Sequence, residues 1–152
     1  MIKQAVILAG GRGLRLWPLT KDIPKPMAPI NGIPFLDYLI YSLITSGIDD
    51  ILILLGYKGE MIEDRYRDIS KFQIRFSVGD VEDNTGRRLL NAFNQLSDHF
   101  LLVYGDNYWS LDLNNMWHFY KKIGFVYIKN IKNYYKINNS YQDGLLLQKT
   151  YI

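Results

Sequence analysis

The chain has 152 residues, 48% of them hydrophobic, with a net charge of +3 and no cysteine, which predicts one domain burying roughly two-thirds of its unfolded surface. Disulfides and thiolate metal sites are excluded; a membrane span is not expected, since no apolar run approaches ~18 residues, nor is nucleic acid, since there is no dense basic stripe. Met1-Ile2-Lys3-Gln4 leads into an apolar run rather than a signal peptide, which makes a cytoplasmic location the default expectation.

Ala5-Val6-Ile7-Leu8-Ala9 is a continuous apolar run, as expected of a parallel strand buried on both faces. It stops at Gly10-Gly11. All five prolines fall within residues 12–34, at positions 18, 24, 26, 29 and 34, which predicts an ordered loop rather than a helix or central strand. Phe35, Leu36, Leu39, Ile40, Leu43 and Ile44 repeat at helical spacing over 35–46, with Gly47 placed to close the helix. The run 51–55 predicts a second buried strand. Residues 58–69 predict a surface helix with Met61, Ile62, Tyr66 and Ile69 on one side, and the alternation over 72–78 a third strand. Leu89, Leu90, Phe93 and Leu96 share one face of a helix predicted over 86–96. Residues 100–104 form a fourth predicted strand, ended by Gly105-Asp106, and Asp112 is placed to N-cap a last helix reaching about Lys122. This order predicts an open, mainly parallel α/β sheet, in which ligands bind at the carboxyl ends of strands. Gly10-Gly11 and Gly105-Asp106 both lie at such ends.

From Ile123 onward Ile, Tyr, Asn and Lys fill 18 of 30 positions, so neither a helix or strand period nor a turn framework emerges. This tail reads either as a terminal hairpin or as out-of-frame sequence following a truncation.

Gly10, Gly11 and Gly13 allow a ligand to approach the backbone closely and present several N–H groups to it, which suits a phosphate. A dinucleotide fingerprint starting at Gly11 requires a small residue where Leu16 stands. A P-loop starting at Gly10 requires Gly-Lys where Arg15-Leu16 stands, so neither applies. Arg15 can fork onto phosphate oxygens, and Lys25 is held on stiff backbone between Pro24 and Pro26. Taken alone, an ordinary turn with two solvated cations would look the same.

The wider pattern is more specific. Leu8-Ala9-Gly10-Gly11-Arg12-Gly13-Leu14-Arg15-Leu16-Trp17-Pro18-Leu19-Thr20, followed by Pro24-Lys25-Pro26-Met27, resembles the sugar-1-phosphate nucleotidyltransferase family. The likeness continues through Gly32-Ile33-Pro34-Phe35-Leu36, Gly56-Tyr57, Thr85-Gly86 and Gly105-Asp106, covering about residues 3–120. It implies a Rossmann-like three-layer fold of the nucleotide-diphospho-sugar transferase type, truncated so that only the N-terminal part is present. Residues 1–122 would be its nucleotide-binding part and 123–152 an atypical tail.

The resemblance implies transfer of a nucleotidyl group from an NTP to a sugar 1-phosphate with release of pyrophosphate, a reaction run by positioning and charge neutralisation. Leu8, Ala9, Gly10, Gly11, Gly13 and Leu14 would hold the nucleotide, with Thr85 and Gly86 near its base and ribose. Arg15 and Lys25 would be catalytic, Arg15 stabilising charge on the departing pyrophosphate and Lys25 contacting the phosphates from the loop's far side. Asp106 matches the family's strand-end Mg²⁺ ligand. Residues 21–32 look most like heptose-1-phosphate guanylyltransferases, and Trp17-Pro18-Leu19 resembles mannose-1-phosphate guanylyltransferases as well. Both favour GTP, and a role in surface polysaccharide precursor synthesis.

The sequence departs from the family in three places. Leu14 replaces a usual threonine. Asn84 replaces a glycine, where its tolerance of left-handed φ is expected to keep the turn. Arg87-Arg88 stand where small residues are usual, which sets them against the nucleotide's fit. No second metal carboxylate or sugar-binding half is recognisable after Asp106, where the remaining acids are Asp112 and Asp143. The alternative is therefore a truncated nucleotide-binding fragment without activity of its own. A third reading is a binding module using Tyr104, Tyr108, Trp109, Trp117 and Tyr120 as an interface. Relatives often form dimers or tetramers, which leaves room for a homo-oligomer.

Overall fold

The computed structural model describes residues 2–70, 72–108, 112–123, 126–128 and 144–148. In chain order the elements are β1 (Gln4–Leu8), a short antiparallel pair β2 (Pro29–Ile30) and β3 (Ile33–Pro34), α1 (Phe35–Thr45), β4 (Asp50–Leu55), α2 (Gly59–Tyr66), β5 (Gln73–Val78), α3 (Thr85–Asn91), β6 (His99–Tyr104), α4 (Leu113–Ile123), β7 (Val126–Ile128) and β8 (Gly144–Gln148). The main sheet runs β5-β4-β1-β6-β8-β7. Its first four strands are parallel, and β8 is antiparallel to both of its neighbours.

Period-two alternation along buried strands makes two cores. Ala5 and Ile7 of β1, Ile51, Ile53 and Leu55 of β4, and Leu101 and Val103 of β6 pack against α1, α2 and α4. Val6, Leu52, Leu54, Phe100 and Leu102 face the other way, onto Leu89, Ala92 and Leu96. Chain order explains the layers. The crossovers β1-α1-β4 and β4-α2-β5 step outward in one direction, so right-handed connections put both helices on one face. The next crossover, β5-α3-β6, returns past β1 in the opposite direction and puts α3 on the other. The order reverses at β1, which opens a crevice outside the carboxyl ends of β1 and β6.

Several expected boundaries shift. The helix expected over 86–96 ends at Asn91 and continues as a 3-10 turn, Phe93–Gln95, because Leu96 must turn extended to enter β6. The helix expected over 58–69 ends at Tyr66. The proline-rich loop contains two 3-10 turns, Leu14–Leu16 and Lys25–Met27. Asp112 caps α4, its carboxylate accepting from the Asn115 N–H at 3.0 Å. In the tail, β7 and β8 pair as antiparallel strands; the other positions from 124 onward, Asp143 among them, lie outside the described residues. Of the aromatic set, Tyr120 is buried with Trp117 stacked on it at 5.3 Å, Tyr104 and Tyr108 are exposed, and Trp109 lies outside the described residues.

Asp37, in the first turn of α1, ties that helix to the end of α2. It accepts from Arg65 at 3.1 and 2.5 Å, and from the hydroxyl of the buried Tyr66. Burial alone would raise the Asp37 pKa, but the bonds from Arg65 and Tyr66, with the Arg65 charge, outweigh it and hold the carboxyl below its ordinary range. The same burial, and the bond to Asp37, raise the Tyr66 pKa. A lowered carboxylate pKa stabilises the fold above the unfolded value near ~3.9, and the contribution disappears as pH falls through the folded value. Asp37→Asn should therefore lower the unfolding free energy by about 1–2 kcal/mol at neutral pH. Urea denaturation of both proteins across pH should show the gap closing below pH ~4.

Candidate active site

The turn after β1 is tied to the ends of two neighbouring strands. The Ala9 N–H donates to the Leu54 carbonyl at 3.0 Å, the Gly105 N–H to Leu8 at 2.9 Å, and the Tyr57 N–H to Gly10 at 3.0 Å. Gly13, at φ 64°, leads into the 3-10 turn Leu14–Leu16. Its carbonyl accepts from the fully buried Thr20 hydroxyl at 2.8 Å, which pins the loop from below. A Cβ on Gly13 would lie 2.9 Å from Lys25 Cβ, so only glycine lets the two segments pass this closely.

Pro24 enters the second 3-10 turn in extended conformation, and Pro26 lies within its first turn. This stiff entry fixes Lys25, whose ammonium forms an ion pair with Asp106 just beyond β6. Both side chains are partly buried. Arg15 is exposed and makes no hydrogen bond or ion pair with any described residue, so its guanidinium is available to a ligand.

A cleft of ≈ 570 Å³ opens at this crevice. Leu8, Ala9, Gly10, Gly11, Gly13, Leu14, Arg15, Lys25, Thr85 and Asp106 all line it, whereas Gly86 does not. Arg12, beside the glycines, reaches across to Glu82 at 2.5 Å.

Sequence reasoning misplaced two residues here. Asn84 is extended (φ −75°, ψ 171°) rather than left-handed, and its side chain accepts from the Arg87 N–H at 2.9 Å, so it works as a helix cap. Arg88, expected to obstruct a nucleotide, is only 5% exposed and forms part of the cleft wall. It donates to the carbonyls of Leu55 (2.6 Å), Asp80 (2.8 Å), Val81 (3.2 Å) and Gly10 (3.3 Å). The available signal was its place beside Leu89 on the face of α3 that meets the sheet.

Among the described residues no group of three or more His, Cys, Asp or Glu is placed to hold a metal. Of the cleft's carboxylates, Asp83 already accepts from the Asp80 N–H and the Asn91 amide. Asp106 has Lys25 as its partner. A single strand-end carboxylate, paired with Lys25, suits a hard cation that completes its shell with phosphate oxygens and water, and does not suit one needing a full protein cage.

Residues 4–139 match the Nucleotidyl transferase family. The chain belongs to this family. It is 38% identical over 118 residues to a D-glycero-alpha-D-manno-heptose 1-phosphate guanylyltransferase of Aneurinibacillus thermoaerophilus, covering 74% of this chain and 50% of that protein. The corresponding guanylyltransferase of Campylobacter jejuni is 34% identical over 114 residues, covering 74% of this chain and 52% of its own length. The chain thus spans about half the length of these relatives. The crystal structure of HddC from Yersinia pseudotuberculosis complexed with GMP-PN superposes with a TM-score of 0.72 at 26% identity, covering 98% of this chain and 78% of that one. The fold is that of the nucleotide-diphospho-sugar transferases, with helices flanking a mainly parallel sheet.

The close approaches under this nucleotidyl transferase loop give a direct test. A Cβ on Gly56 would lie 2.6 Å from both the Gly10 carbonyl and Arg88, whereas one on Gly11 would meet nothing within 4 Å. Gly56→Ala should lower the unfolding free energy by about 1–3 kcal/mol. Gly11→Ala should stay within about 0.5 kcal/mol of wild type in the same denaturant titration.

Proposed function

We propose that the chain carries the nucleotide-handling part of an enzyme that joins an NTP to a sugar 1-phosphate, giving an NDP-sugar and pyrophosphate. The observation that carries this reading is a cleft at the strand-order reversal. It gathers the glycine loop, Arg15, Lys25, Thr85 and Asp106 from segments far apart in sequence. GTP is the favoured nucleotide, supported by the two guanylyltransferase relatives and by the GMP-PN named with the Yersinia structure. Supply of precursors for surface polysaccharide, in the cytoplasm, is the role proposed for the product.

The sugar-phosphate oxygen attacks the α-phosphorus in line, forming a P–O bond as the bond to pyrophosphate breaks. The backbone N–H groups of the glycine loop hold the phosphates, and Thr85 lies on the base and ribose side. Arg15, without a partner among the described residues, is positioned to take up charge on the departing pyrophosphate. Lys25 would contact a phosphate oxygen, and Asp106 would be the protein's ligand to Mg²⁺. The bound Mg²⁺ would supply neutralisation of the triphosphate charge.

A second reading follows from the chain's length relative to its relatives: a fragment that binds nucleotide without turning it over. Calorimetry with GTP and Mg²⁺, alongside a pyrophosphate-release assay over a panel of sugar 1-phosphates, separates the two. Turnover is expected, with Arg15→Ala and Lys25→Ala each reducing kcat by about 10²–10³. Asp106→Asn should abolish the Mg²⁺-dependent part of GTP affinity. Binding without turnover would establish the fragment reading, and the absence of binding by any NTP would overturn both.

A further inference from the structure

Arg88 contributes a positive charge to the cleft that the mechanism above leaves unused. Its guanidinium is a charged group held almost wholly out of solvent. Its partners are backbone carbonyls only, and it makes no ion pair among the described residues. Carbonyl dipoles satisfy donors but do not cancel a full charge, and an uncompensated buried charge is costly. The bonds also leave donors over. Nε–H and one hydrogen of Nη1 make no bond to a described residue.

The surroundings are shaped for this group. Gly10 and Gly56 converge on the guanidinium, and a Cβ on either would overlap it. It ties Gly10 and Val81, which line the cleft, to the end of β4 behind them. A structural tie alone would need donors there, and not a permanent charge with donors unspent.

We propose that Arg88 is a binding residue of this cleft, its charge completed by the polyphosphate of the ligand. The inference rests on the nucleotide reading of the cleft and deepens it: the residue that looked like an obstruction in the sequence becomes part of the anion site. An Arg at this position then favours ligands with two or more phosphates over nucleosides.

The test uses the full chain with Arg88→Met and Arg88→Lys, and three probes measured by calorimetry: inorganic tripolyphosphate, GTP and guanosine. Arg88→Met should weaken tripolyphosphate and GTP by roughly tenfold or more and flatten the salt dependence of their binding, while guanosine changes by less than about twofold. Arg88→Lys should recover part of the polyphosphate affinity. Equal losses for guanosine and polyphosphate, with no recovery by lysine, would mark Arg88 as a structural tie and overturn the proposal. Should Arg88→Met not fold, the wild-type Arg88 Nε resonance serves instead: tripolyphosphate should shift it and guanosine should not, and a resonance unmoved by bound tripolyphosphate rejects the assignment. Wild-type binding of tripolyphosphate but of no NTP would remove the proposed function and leave Arg88 standing. GTP binding unaffected by Arg88→Met would do the reverse. A wild-type chain that binds neither would remove both.

Discussion

β1 is hydrogen-bonded to a parallel strand along each edge and packed against helices on each face, and the site depends on that double confinement. Its last residues have nowhere to move, so the turn that follows begins from a fixed point. Leu8 accepts from Gly105, and Gly10 accepts from Tyr57, which locks the turn to the ends of β6 and β4. Backbone N–H groups can stabilise an anion strongly only when they do not have to reorganise around it. A buried, fully paired strand is the cheapest way to hold them still.

The two ends of the sheet treat charge differently. At the amino ends, buried Gln4 bonds to Asp50 at 2.7 Å, and Arg75 pairs with the same carboxylate at 2.7 Å and with the Gln95 carbonyl at 3.2 Å. Charge there is closed on itself and serves the fold. At the carboxyl ends, among the described residues, Arg15 has no partner, Arg88 has only carbonyls, and Lys25 has Asp106 as its one carboxylate. The positive potential at this end is therefore left for a solute, and the low-dielectric walls of the cleft concentrate it.

The sequence made the sheet legible because strands buried on both faces leave continuous apolar runs, and because glycine and aspartate punctuate their ends. The strand runs and α1 needed no tertiary information. The break between α3 and the turn at Phe93–Gln95 did, since Leu89, Leu90, Phe93 and Leu96 keep helical spacing and only the path into β6 interrupts them. The loop, Arg15, Lys25 and Asp106 were legible through a motif, and their convergence is what the structure adds. Asn84 and Arg88 were not, for related reasons. Asn84 was judged by the φ of the residue it replaces, while the helix it precedes offered a different use for its side chain. Arg88 was judged by volume, and the missing side chains at Gly10 and Gly56 that make room for it lie 78 and 32 positions away in a direction no local pattern reports.

The Lys25–Asp106 pair joins residues 81 positions apart, and the Arg88–Gly10 bond joins residues 78 apart. Neither can form until β6 and α3 have closed long loops back onto β1, and loops of that span are slow to close. The outer half of the sheet, β1-α1-β4-α2-β5, can assemble from near neighbours first. A chain in which only that outer half had assembled would hold about half of the sheet's strand residues, and would lack both ties that close the cleft.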